Sequence, residues 1–186
     1  MAKVSVPEEA FEIGILNREY HARLLLNLET HAANAGIPPE FVWSKMSKYC
    51  TPEEVTWVRR MRVEKDHGLC YRGVFPVPIE DKMMAVTGAC LRNYIDARMM
   101  TVQEVLHYLK AGDMPSPTVL LIPNFCLDKG EGGDIAQWQS SSLLGLLYSR
   151  LAKNLKTVLY IGSEAALEKH YGEAFAKHIR SHYTMI

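Results

Sequence analysis

A chain of 186 residues with 48% hydrophobic side chains is long enough for one domain with a sizeable core. Lys plus Arg equals Asp plus Glu at 21 each, so no global field draws it to nucleic acid or to an anionic membrane. Any nucleic-acid contact is then indirect or made through a local patch. No apolar run approaches the roughly 20 residues of a membrane span. Cys50, Cys70, Cys90 and Cys126 form no C-x-x-C pair and follow no secretory segment, so reduced thiols and a cytoplasmic location are expected.

In chain order, Phe11, Ile15, Leu16, Tyr20, Leu24, Leu25 and Leu28 recur at three- and four-residue intervals, which predicts one amphipathic helix from Pro7 to about Asn34. Its apolar stripe packs either on its own domain or in a partner's groove. In the second case Phe11, Ile15, Tyr20 and Leu24 are the candidate partner-binding anchors. Gly36-Ile37-Pro38-Pro39 ends that helix and reads as a linker, dividing the chain into an N-terminal helical extension, 1–35, and an α/β domain, 36–186.

Thr51, Pro52 and Glu54 spell a helix start with a capping box. Leu69–Phe75 reads as a strand, followed by a proline-broken loop and a helix over Glu80–Asp96. After a short extended piece at Ala97–Met100, Thr101 and Glu104 open a second capped helix to Lys110. Thr118–Cys126 (TVLLIPNFC) holds a continuous apolar run, the mark of a strand buried on both faces. Asp128–Asp134 is glycine-rich and acidic but misses the calcium-loop spacing, so a surface loop is expected. A helix over Ala136–Asn154, a strand at Lys156–Ile161, a Ser163-capped helix and a last helix ending near His182 complete the chain. Strands alternating with helices predict a three-layer α/β fold, a parallel sheet flanked by helices.

A strand, loop and helix in this order is where a phosphate-cradling loop sits, and such a loop needs glycine N–H donors and a Lys-Ser/Thr pair. Here Gly73 is followed by Pro76 and Pro78, which lack donors, and by Glu80 and Asp81, which are repelled by phosphate. Lys82 is followed by Met83 and not by a hydroxyl. The strand at Thr118–Cys126 ends in Pro123 and Asn124, where metal-binding acids would stand. His178 and His182, with His170 nearby, have helical spacing for a shared metal but lack further ligands, so no metal and no cofactor are expected. The alternative is an enzyme of unrelated mechanism on the same sheet, using a Cys–His or acid–base site.

The serial order of these pieces resembles the DnaC/IstB-like group of AAA+ ATPases, the helicase loaders and transposition helpers, over roughly residues 17–182. AGIPPEF is similar to the entry of that group's core, and LKTVLYIGSEAALEKHYG to its sensor strand and following turn. The resemblance implies an AAA+ P-loop-type sheet, with Thr118–Ile122 between the Leu69–Phe75 and Lys156–Ile161 strands. It also implies that the hydrolytic positions are lost together: the phosphate loop at Gly73, Pro76, Pro78, Lys82 and Met83; the metal acids at Pro123 and Asn124; the sensor and arginine region at Ile161, Ser163, His178 and Arg180. What remains is a non-hydrolysing subunit that binds a protein partner: an active AAA+ ATPase, a replicative helicase or a transposition complex.

Overall fold

The computed structural model describes residues 5–63, 66–127 and 136–186; the loop expected at Asp128–Asp134 lies outside them. Five parallel strands form one sheet: β1 (Gly68–Arg72), β2 (Ala97–Met99), β3 (Val119–Cys126), β4 (Lys156–Ile161) and β5 (Tyr183–Met185), in the order β2-β3-β4-β1-β5. This corrects the expected order, since β4, and not β3, lies next to β1. Strand order is set by long-range pairing, which the local apolar runs do not report; at Pro123, which has no N–H to give a neighbour, β3 becomes irregular. β2 pairs only with Val119–Leu121, so Pro123 falls beyond the end of that edge strand, and the register with β4 slips between Ile122 and Cys126.

The period-two alternation of the strands divides the core into two layers. Leu69, Tyr71, Val119, Leu121 and Val158 face one layer, built on α3 (Leu28–Ala35), α4 (Glu40–Trp43), α5 (Pro52–Arg60) and α6 (Ile79–Arg92). Cys70, Leu120, Ile122, Leu159 and Ile161 face the other, built on α7 (Val102–Lys110), α8 (Gln137–Ala152), α9 (Glu164–Tyr171) and α10 (Glu173–His182). Both capping boxes form as the sequence predicts, with Thr51 and Glu54 opening α5 and Thr101 and Glu104 opening α7.

The single helix expected over 7–34 is instead three short ones, α1 (Glu9–Glu12), α2 (Ala22–Leu26) and α3. Gly14 turns left-handed at φ +70, Asn17 Oδ1 accepts from the Glu19 and Tyr20 amides at 3.0 and 2.8 Å, and Asn27 at φ −124 leaves the helical region. Leu24, Leu28, Ala32 and Ala35 from this segment join the first core layer. Beyond it, Gly88 lets α4 lie directly on α6, since a Cβ there would meet the Phe41 carbonyl oxygen at 2.1 Å. The helix expected to reach Asp96 stops at Arg92, and Tyr94 at φ +53 turns the chain toward β2.

Candidate functional site

The strand ends of β1, β3 and β4 open on one edge of the sheet, where a nucleotide loop would be sought. Gly73, at φ +86, leads the chain out of β1, its N–H bonded to the Ile161 carbonyl at 3.2 Å and its carbonyl accepting from Tyr160 Oη at 3.0 Å. The Phe75 ring lies edge-on to Tyr71 at 5.6 Å and near Tyr160 at 6.5 Å, so apolar contact folds the loop onto the sheet. Pro78 precedes α6 without any side-chain cap, and Glu80 and Asp81 occupy its first turn.

Lys82 is turned into the core beneath this loop, its Nζ 5.4 Å from the Phe75 ring and 5.6 Å from the Tyr71 ring. Its Nζ reaches both carboxylate oxygens of Glu54 on α5, at 3.0 and 2.7 Å, and both side chains are buried. Tyr71 Oη donates to Glu54 Oε1 at 2.6 Å, and the Thr51 amide donates to Oε2 at 2.7 Å. Burial works to raise the Glu54 pKa, but the bonds from Lys82, Tyr71 and Thr51 outweigh it and leave the group below the ordinary carboxylate range. Met83 beside it is fully buried core. The cation that sequence position offers to a phosphate is therefore already matched by an internal carboxylate.

The other predicted positions also carry structural duties. Asn124 Oδ1 accepts from the Val102 amide at 2.9 Å and its Nδ2 donates to Gln103 Oε1 at 3.0 Å, so it seats the start of α7. Pro123 is buried within the irregular end of β3. Ile161 is buried core, and Ser163 Oγ accepts from the Ala166 amide at 3.1 Å as the cap of α9. Arg180 pairs with Glu164 and Glu168 at 3.4 and 3.0 Å. His178 is buried, and neither ring nitrogen is bonded among the described residues; its ring lies 4.6 Å from Tyr148 and 4.9 Å from His182.

The four N-terminal anchors do not share one surface. Leu24 is core, 4% exposed. Phe11 lies under the Arg18 guanidinium at 4.1 Å and faces a shallow hollow with Leu25 and Leu26. Ile15 and Tyr20 line a different cleft, between the turn after α1, α5 and the end of α6.

Neither a protein-family model nor a curated protein sequence matches the chain. Solved structures do match in fold. A primosome component from Streptococcus pyogenes serotype M3 superposes with a TM-score of 0.58 at 13% identity, covering 82% of this chain and 89% of that one. DnaI gives 0.57 at 17%, covering 81% and 90%, and the DnaC helicase loader gives 0.58 at 12%, covering 78% and 97%. The likeness is one of fold: an AAA+-like parallel sheet flanked by helices.

All four thiols are buried. Cys50, Cys70 and Cys90 are buried, and loss of solvent pushes each thiol up to about 12, leaving almost no thiolate near neutral pH. The expected His178–His182 pair is joined not by His170 but by His67, whose ring is 5.3 Å from His182. No group of three His, Cys, Asp or Glu among the described residues could hold a metal ion. None of the described helices is long and apolar enough to cross a membrane.

Two residues central to the core layers carried no signal beyond local spacing. Glu54 is legible as a cap but not as the partner of Lys82, which is 28 positions away. Arg150, 2% exposed, donates to the Pro115, Pro117 and Lys156 carbonyls and to Thr157 Oγ1, tying the approach to β3 onto β4. Burial lowers its pKa to about 10, so it stays charged at neutral pH.

Proposed function

We propose that this chain is a non-hydrolysing AAA+-like subunit of a DNA replication machine, acting by binding a replicative helicase or an active AAA+ ATPase. The observation that carries the proposal is the Glu54–Lys82 pair: the lysine on the helix that follows the loop is spent on a buried carboxylate. Pro123 and Asn124 offer no carboxylate for magnesium, and phosphoryl transfer is mostly positioning and charge neutralisation, which this edge lacks. Replication is preferred to transposition because the structural neighbours are described as a primosome component, DnaI and a helicase loader. Cytoplasmic action follows from that reading.

The test has two arms. In a thermal-shift titration with magnesium-ATP the midpoint stays fixed and no phosphate is released. A ligand at a hundred times its Kd would add about 2.7 kcal/mol, or roughly 5–10 °C for a chain of this size. Affinity purification from the native cell recovers a helicase or an active AAA+ ATPase. A clear ATP shift with phosphate release refutes the proposal, and recovery of a transposase complex moves it to transposition.

A further inference from the structure

The cleft that Ile15 and Tyr20 line has a volume of about 460 Å³ and carries Lys45, Arg59 and Arg92 with no carboxylate among its lining residues. In a chain with equal numbers of acids and bases this is a local imbalance. Some basic side chains elsewhere are paired with acids, as Arg18 is with Glu8, Arg72 with Glu164 and Arg180 with Glu168. Lys45 and Arg59 form no ion pair among the described residues and are exposed. Arg92 is held by bonds from Nη1 to the Val42 and Ser44 carbonyls at 3.1 and 3.2 Å, which fix its position without neutralising it.

The lining also holds the apolar side chains Ile15, Met46, Val55 and Val58, with His21, Ser47 and Asn93 beside them. Tyr20 stands at the side, 65% exposed, its ring edge-on to Tyr94 at 5.3 Å. The walls are already in place: His21 Nε2 bonds the Arg92 carbonyl at 2.8 Å, clamping the N-terminal segment to the end of α6. A preformed cleft orders little on binding, which favours affinity.

We infer that this cleft docks an acidic segment of a partner protein, one apolar side chain seated on Met46, Val55 and Val58 and flanking carboxylates on Lys45, Arg59 and Arg92. This deepens the partner-binding reading proposed above and rests on it. Charge complementarity selects an anion, and the aliphatic floor selects a side chain over a base. Single-stranded nucleic acid is bound on successive stacked aromatic faces within a basic track, whereas the exposed Tyr20 and Tyr94 stand edge-on to each other at one side and no aromatic ring lies among Met46, Val55 and Val58.

The probe is a displayed random dodecapeptide library, selected at low salt on the full-length chain and in parallel on the K45E/R59E double variant. Peptides enriched on the wild-type chain carry a Leu, Ile, Met or Phe among several Asp or Glu. A synthetic copy of one binds about tenfold or more weakly to K45E/R59E, and more weakly still in high salt. Melting curves show that the variant is folded, and K45Q/R59Q, which removes charge without reversing it, gives an intermediate loss. Neutral or basic selected peptides, or equal binding to both proteins, overturn the inference. So does preferential binding of oligothymidylate, or of anionic phosphatidylserine vesicles, that depends on Lys45 and Arg59. If K45E/R59E still co-elutes with a replication partner, the cleft assignment fails and the partner-binding reading stands. If the acidic peptides bind as expected but no replication partner co-elutes, the cleft stands and the replication reading fails.

Discussion

Replacing Lys82 by Met separates a structural lysine from a phosphate ligand. Its Nζ and the Glu54 carboxylate are 2.7 Å apart with side chains 4% and 0% exposed, so the variant leaves a carboxylate buried without its counter-ion. Breaking a buried pair from one side costs about 3–5 kcal/mol. Tyr71 and Thr51 still donate to Glu54, which places the expected loss for K82M near the lower end, about 3 kcal/mol. That is a large share of a typical stability of roughly 5–15 kcal/mol.

In the double variant E54L/K82M both charges go and the neutral partners of Glu54, chiefly the Tyr71 hydroxyl and the Thr51 amide, lose a bond, so it is less destabilised than the sum of the two single variants, with coupling of about 2 kcal/mol or more. Equilibrium urea unfolding reads this through tryptophan fluorescence, with Trp57 on the same helix as Glu54. A loss below about 1 kcal/mol for K82M, or coupling near zero, would refute the reasoning. A lysine waiting for phosphate gives the opposite pattern: stability unchanged and ATP binding abolished.

His178 makes stability fall in acid: burial is the main cause holding its pKa down to about 4 from an ordinary 6.5, with His182 and His67 nearby adding to it. The contribution is complete above pH 6.5 and lost as pH falls toward 4, at most about 3 kcal/mol, so urea midpoints of H178F should be flatter than wild type across that window. Arg150→Met removes the donors to Pro115, Pro117, Lys156 and Thr157 and is expected to cost about 3 kcal/mol in urea unfolding; Arg150→Lys recovers part only, because an ammonium cannot span the same acceptors. Deleting residues 1–35 takes Leu24, Leu28, Ala32 and Ala35 from the first core layer, and at about 2–5 kcal/mol per leucine the remainder should lose cooperative melting. A sharp transition in the truncated chain would show that the segment is an appendage.

What the sequence determined by itself is what neighbours in the chain decide. The capping boxes at Thr51 and Thr101 bind a side chain to an amide three residues on, and β4 occupies Lys156–Ile161 because its apolar run leaves one conformation that buries it on both faces. From such pieces the alternation of strand and helix, and hence the parallel α/β class, was readable. The tertiary structure decided the rest. The order of the sheet, with β4 and not β3 beside β1, depends on pairing between strands far apart in the chain. The break of the N-terminal helix depends on Asn17 and Gly14 together with a core that takes in Leu24 and Leu28. β5 was too short to show a period and exists because β1 offers it an edge. Lys82 meets Glu54, and Lys45, Arg59 and Arg92 come to one cleft, only once α5 and α6 pack. Periodicity reports which face of an element is buried, but which charge lies opposite which across tens of residues is set by packing and by the cost of leaving either charge buried alone.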